Sequence, residues 1–293
     1  MANLKEIRSR ISSTISTQQI TKAMKLVSAT KLRKATDGIV RMRPYAAKLK
    51  EVMANLEDSV EDESLARFFK DRDPRTVLLV VITSDRGLCG AFNTNVIRRT
   101  RSLLEGKYAA QMAAGKVTIL PIGKKGYEFF RRYPVTFDNR FMGLFGQLSS
   151  ENVFSAGDDI LKSFLDGQYD RVELVYNQFK NAATQLITND VFLPVDMQQN
   201  KAKSARKNDY LFEPGKVAIL EELIPRSLKT HLYRALLDSN AAEHGARMVA
   251  MDKATENAGE LLKSLRLQYN QARQAAITRE ISEIVGGAAA LQG

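Results

Sequence analysis

The 293-residue chain holds one cysteine, no tryptophan, two histidines and seven prolines, and each scarcity closes off a class of protein. A lone cysteine cannot form an internal disulfide, and no two Cys or His residues stand at metal-ligand spacing. Disulfide scaffolds are excluded, structural zinc nearly so, and a reducing compartment suits the chain. No apolar run approaches the roughly 18 residues needed to cross a bilayer. The N-terminal "MANLKEIRSR" lacks the apolar core and small cleavage residues of a signal peptide. A soluble, unprocessed, cytoplasmic protein is expected. Little proline among abundant Ala, Leu, Lys, Arg, Gln and Glu favours long helices over an all-β fold.

What is present is a formal charge of +11, unevenly placed. Residues 1–57 carry twelve Lys or Arg against four Asp or Glu, whereas residues 58–225 and 226–293 carry only small excesses. Such a basic helix suits nucleic acid, an anionic membrane or an acidic protein surface, and charge alone does not choose.

The pattern divides into three regions, expected at 1–57, 58–210 and 211–293. From Asn3 to Glu57 the only glycine is Gly38 and the only proline Pro44, which predicts a helix bent or locally broken at Pro44. Leu4, Ile7, Ile11 and Ile15 share one face, while Ile20, Met24 and Val27 project from nearly the opposite one. The middle alternates strand and helix. "TVLLVVITS" reads as a buried parallel strand, Thr94 to Ala114 as a helix capped by Asn93 or Thr94, and "KVTILPIG" as a second strand. A helix follows at about 150–165, then two strands, "RVELVYNQF" and "TQLITNDVFLPV", joined by a turn at Lys180 to Ala183. This is a Rossmann-like α/β domain, left through the polar linker "DMQQNKAKSARKND".

From Arg226 to Val285 no proline occurs, and Leu228, Leu232, Ala235, Ser239, Ala242, Ala246 and Val249 form one sustained stripe. That predicts a coiled coil. Ile7, Ile11 and Ile15 on the first helix and Ala242, Ala246, Val249 and Leu261 on the last are its packing candidates. The two helices flank one middle domain, so if they pair they run antiparallel, a rod on a globular foot with both termini at the far tip. The tip "EIVGGAAALQG" has no charge after Glu283, an exposed-patch problem unless something receives it.

Three features invite sharper readings. "TSDRGLCGAFNTN", Thr83 to Asn95, sits where a phosphate loop would, yet has neither G-x-G-x-x-G nor G-x-x-x-x-G-K-[ST] spacing. Gly87 and Gly90 read more simply as turn geometry. Cys89 as a nucleophile needs a nearby base, but His231 and His244 stand on different faces of the last helix; a structural thiol is favoured. A nucleic-acid arm is disfavoured because the basic residues of the first helix surround it and no recognition module accompanies them.

Residues 7–35, "IRSRISSTISTQQITKAMKLVSATKLRKA", with 83–93, "TSDRGLCGAFN", and 246–290, beginning "ARMVAMDKATENAGELLKSL", resemble the gamma-subunit family of the rotary ATP synthase, bacterial type. The resemblance implies a long antiparallel coiled coil of terminal helices plus a central Rossmann-like α/β domain. It also implies a non-catalytic central stalk, without metal or cofactor, coupling proton flow to ATP synthesis and needed for assembly and regulation of ATPase activity. Implied partners are the α and β subunits of the catalytic ring, the epsilon subunit and the membrane c-ring, with one copy per complex held peripherally at the cytoplasmic face of the inner membrane. Met24, Arg273, Gln274, Thr278, Glu280 and Ile284 match positions expected to meet the ring; Asp85 and Arg86 become foot-loop contact candidates. With neither a cysteine-bearing chloroplast insertion nor a transit peptide expected, the resemblance favours a bacterial form, and Arg279 stands where a neutral polar residue is more usual.

Overall fold

The uninterrupted apolar run Val77–Ile82 is the centre of a five-stranded sheet in the computed structural model, which describes residues 4–56, 67–69, 73–195 and 215–292. The region boundaries expected at 57/58 and 210/211, the polar linker after Val195 and the Phe212–Pro214 segment lie outside the described residues. Two compact units emerge, one of residues 29–247 and one combining 1–28 with 248–293. Helix α1, Leu4–Leu56, and the last helix, α6, Lys216–Gln292, each contribute to both units.

In the larger unit the strands are β1 (Val77–Ile82), β2 (Val117–Ile122), β3 (Thr136–Phe137), β4 (Arg171–Phe179) and β5 (Gln185–Leu193), in the order β3-β2-β1-β4-β5. Pairing is parallel from β3 to β4; β5 joins β4 antiparallel. The helices are α2 (Phe92–Ser102), α3 (Ala109–Ala113), α4 (Lys124–Phe130) and α5 (Ser150–Leu165). Successive side chains of a strand point to opposite faces. Leu78, Val80 and Ile82 enter one core with Val153, Ile160 and Phe164 of α5, while Val77, Leu79 and Val81 enter another with Val96, Leu104 and Tyr108. Both faces are covered, which is why β1 carries no polar residue.

The first core also contains Leu220, Ile224, Leu228, Leu232, Ala235 and Leu236 of α6. The sequence stripe assigns Leu228, Leu232 and Ala235 to a coiled coil; the structure places them on the sheet. The helix also begins ten residues earlier than Arg226 and continues through Pro225. Proline removes one backbone hydrogen bond and crowds the preceding turn. Burial of Leu220, Ile224 and Leu228 on either side of it fixes those turns from outside. Pro44 likewise lies inside continuous helix.

The expected helix from Thr94 to Ala114 is split. After α2 the chain makes a wider turn of five-residue hydrogen-bond period at Leu103–Lys107, and α3 follows. The widening immediately precedes Tyr108 and ends at Lys107, whose side chains both donate to Glu173, a carboxylate with no exposed surface in the middle of β4. Asn189 of β5 donates to its other oxygen at 3.0 Å. Burial, then the Glu173 carboxylate, pushes the Tyr108 hydroxyl well above the usual phenol range. A polar side chain buried in the sheet is tolerated because donors surround it.

In the smaller unit the half-buried and buried residues of α1 are Leu4, Ile7, Ile11, Thr14, Gln18, Thr21, Lys25 and Ser28, with Ile15 and Met24 beside them. Those of α6 include Met251, Thr255, Ala258, Leu262, Leu265, Tyr269, Ala272 and Ala276. Both main series alternate steps of three and four, the heptad of a left-handed coiled coil. Among the packing candidates Leu261 is 53% exposed, because the seam passes through Ala258, Leu262 and Leu265 and Leu261 stands one residue, about 100°, off it. The middle of the seam is polar. Lys25 pairs with Asp252 at 2.6 Å, Thr255 donates to Thr21 at 2.8 Å, and the Gln18 amide reaches the Thr255 carbonyl at 3.5 Å.

Leu232 is fully buried between α6 and the sheet. Leu232→Ala is expected to lower unfolding free energy by about 2–5 kcal/mol, measured by denaturant titration of the purified chain.

Candidate functional site

In an open α/β sheet, ligands lie beyond the carboxyl ends of the strands where the strand order reverses. Here that point falls between β1 and β4, and the loop "TSDRGLCGAFNTN" leaves β1 beside it. The loop is built from local geometry. Gly90 takes φ +58°, and Leu88 rather than Gly87 supplies the other left-handed residue, at φ +63°. Leu88 is 63% exposed, so its strained backbone projects an apolar side chain outward.

Asn93 does not cap α2, whose N-cap position is Ala91 with no side-chain bond. It turns back to the loop instead: its side-chain oxygen accepts from the Ser84 backbone N–H at 3.0 Å and its amide donates to the Ser84 hydroxyl at 2.8 Å. The same amide donates to Cys89 Sγ at 3.3 Å. Cys89 is buried and packs with Phe92 and Ala242. Ala242 thus packs on the α/β domain, as does the partly buried Ala246, and both leave the coiled-coil list because α6 meets this loop before its heptad seam begins.

Helix α6 fills the crevice. The Arg247 guanidinium donates to the Arg86 carbonyl at 3.1 Å and the Gly87 carbonyl at 3.3 Å, and pairs with Glu243 at 2.6 Å. Both charged residues are 8% exposed. Burial raises the Glu243 carboxyl above its ordinary range, against the opposing pull of Arg247. Burial, with the positive charges of Arg247 and Lys31, lowers the His244 imidazole to about 4. On the far side Gly245 lets the helix approach the β4–β5 turn, where an added Cβ would meet Ala182 Cα at 3.2 Å. The carbonyls of the loop are thus tied to α6 on the Arg247 side. Among the described residues no cluster of three His, Cys, Asp or Glu is arranged to hold a metal ion.

The foot-loop candidates differ in freedom. Asp85 is engaged, accepting from the Lys124 backbone N–H at the start of α4 at 3.1 Å, while the Arg86 side chain is exposed. Of the ring-contact candidates, Met24 is half-buried, and Arg273, Gln274, Thr278, Glu280 and Ile284 are all exposed on α6. Thr278 donates to the Gln274 carbonyl at 2.9 Å, and Arg279 is exposed beside it. Apolar exposure surrounds these positions. Ile20, Leu26 and Val27 on α1, and Leu267, Ile277, Ile281, Ile284 and Val285 on α6, each leave 47–70% of their surface open. No helix is long and apolar enough to cross a membrane among the described residues.

Sequence reasoning missed the Arg247 anchor and the Lys25–Asp252 pair. For Arg247 a signal existed, a Glu–Arg pair four residues apart in an alanine-rich stretch, but such pairs ordinarily lie in solvent. For Lys25 and Asp252 none existed, since they are 227 residues apart.

The family described as ATP synthase matches residues 3–291. Among curated proteins, the ATP synthase gamma chain of Cytophaga hutchinsonii is 52% identical over 293 residues, covering 99% of each chain. That of Flavobacterium johnsoniae is 52% identical over the whole of both chains, and that of Chlorobaculum tepidum 46%. Among solved structures, a chain of the Tetrahymena thermophila mitochondrial ATP synthase central stalk and c-ring is 27% identical, with TM-score 0.58 over 80% of this chain and 99% of that one. A chain of the Euglena gracilis OSCP/F1/c-ring assembly, 24% identical, shares the fold with TM-score 0.66 over 98% of this chain and 94% of that one.

Two outcomes follow from the corner. Arg247→Ala leaves Glu243 buried without its partner and is expected to cost about 3–5 kcal/mol at pH 7, read from chemical denaturation. His244 is neutral in the native state down to about 4, whereas the unfolded imidazole protonates near 6.5. The unfolded state then binds more protons, so this contribution to stability is lost as pH falls from 6.5 towards 4. His244→Asn should flatten that part of the stability-against-pH curve, and an unchanged slope would refute the assignment.

Proposed function

Because the chain belongs to the ATP synthase gamma family, we propose that it is the central rotor stalk of a proton-translocating ATP synthase, a non-catalytic subunit. The observation that carries this reading is the helix pair of the smaller unit. Its two helices bury a seam between them, yet Ile20, Leu26, Val27, Leu267 and Ile281 remain open on other faces. A helix pair that needed only its own seam would present polar residues there. Apolar side chains on several faces suit a shaft enclosed by other subunits.

In this reading the partners are the α and β subunits of the catalytic ring, the epsilon subunit and the membrane c-ring, with one copy per complex. The assembly sits peripherally at the cytoplasmic face of a bacterial inner membrane. Met24, Arg273, Gln274, Thr278, Glu280 and Ile284 meet the ring, while Arg86 and its loop serve neighbouring stalk parts. The excess positive charge of α1 draws acidic segments of the ring by long-range attraction that needs no fixed geometry.

Torque is delivered by asymmetry. A different face of the pair meets each β subunit at each angle, and the differential contacts shift the balance between open and closed catalytic states. Proton flow is thereby coupled to ATP synthesis, and the same contacts assemble the complex and regulate ATP hydrolysis.

The test is reconstitution. Mixed with α and β subunits, the chain should yield an active ATPase complex with one copy by native mass spectrometry, while alone it should hydrolyse no ATP. Failure to associate with the ring would sink the proposal. Deleting residues from Gly286 onward should reduce the yield of complex severalfold and leave ATP-driven rotation in what assembles, because torque is still delivered lower on the helices.

A further inference from the structure

Within the larger unit, α1 and α6 enclose a cleft of about 670 Å³ on the side facing the Phe145–Leu148 segment. Three cations line it from one helix, Lys31, Lys34 and Arg41, against a single lining carboxylate, Asp37. None of the three makes an ion pair with a described carboxylate, although ion pairs are formed elsewhere on both helices. The three cations outnumber the one lining carboxylate, so an anion entering the cleft meets an excess of positive charge.

His244 adds a polar group to the same wall. It lines the cleft and is lowered by burial, then by Arg247 and Lys31. Neutral at physiological pH, it can donate one hydrogen bond to an oxyanion without adding charge. Asn240, one turn before it on α6, adds an amide.

The shape argues against an inorganic anion alone. Lys31 and Arg41 are ten residues apart on continuous helix, about 15 Å along its axis. Tyr233, eleven residues before His244 on α6 and so about 16 Å from it along the helix, gives the cleft an aromatic wall, and Phe145 and Leu237 also line it. A ligand matching both ends carries phosphates at one and a flat apolar group at the other, and the volume falls within the roughly 300–1,000 Å³ of small-molecule sites.

We propose that this cleft binds a nucleoside polyphosphate, with its phosphates between Lys31, Lys34 and His244 and its base against Tyr233 and Phe145. The site is separate from the β1 corner, which Arg247 closes. It requires no catalysis by this chain and stands whether or not the stalk assignment does.

The experiment is calorimetric titration of the full-length chain with ATP, pyrophosphate, adenosine and hexaglutamate. ATP is expected to bind one to one, pyrophosphate more weakly, and adenosine more weakly still. Lys31→Gln combined with Lys34→Gln should weaken ATP by at least about tenfold, the loss expected for two charged hydrogen bonds. Arg41→Gln should weaken ATP more than pyrophosphate, and the exposed control Lys116→Gln should change neither. Circular dichroism keeps the variants honest, since these side chains are exposed and their loss should leave helicity intact. The proposal is overturned by no heat at 2 mM ATP, by equal affinity in the double lysine variant, or by pyrophosphate binding as tightly as ATP. Tighter binding of hexaglutamate, lost with the same two lysines, would overturn it in favour of an acidic peptide.

Discussion

One helix has to satisfy two packing partners of different geometry. Over its first half, α6 buries a broad apolar face against a sheet, through Leu220, Ile224, Leu228, Leu232 and Leu236. Over its second half it buries a narrow heptad seam, through Met251, Ala258 and Leu265. The change is made between Ser239 and Ala250, where small residues dominate and polar anchors replace apolar volume. Arg247 ties the backbone of the β1 loop, and Gly245 admits the β4–β5 turn, so the helix is held on two sides where its apolar face is changing. The placement of the loop, the burial of Cys89 and the filling of the crevice depend on that hold.

Much of this was legible in the sequence where one residue pattern answers to one partner. β1 and β2 announce themselves as apolar runs because both of their faces are covered, and α5 runs over Ser150–Leu165 as expected, with Ser149 accepting from the Asn152 backbone. Pattern failed where the partner was remote or double. The stripe of α6 has the same spacing whether it faces a sheet or a helix, so Leu228 and Leu232 gave no sign of which. β3 has two residues, too few for any period to show. The widened turn at Leu103–Lys107 serves Glu173, 66 residues beyond Lys107, and no local rule predicts it.

The candidate site followed the same division. Glycine spacing was enough to doubt a phosphate loop, because that chemistry demands fixed intervals. It was not enough to say which residue takes the strained backbone, and Leu88 does so in place of Gly87. Exposure of Ile20 and Val27 was foreseeable from their position opposite Ile7 and Ile11. Leu261 stands exposed because the seam of the smaller unit runs through Ala258, Leu262 and Leu265, a register that the stripe upstream on the same helix does not fix.

The polar middle of the seam has a further consequence. An all-apolar heptad repeat fits nearly as well after sliding by seven residues, since one leucine replaces another. Lys25 opposite Asp252, and Thr21 opposite Thr255, do not survive that slip: seven residues either way would set Lys25 against Gly245 or Gly259 and Thr21 against Met248 or Leu262. Polar layers of this kind give up some stability and fix alignment. For two helices whose outer faces are all different, alignment along the axis also sets angle around it. The ion pair therefore works as a key in a keyway, determining which exposed side chain of α1 lies beside which exposed side chain of α6.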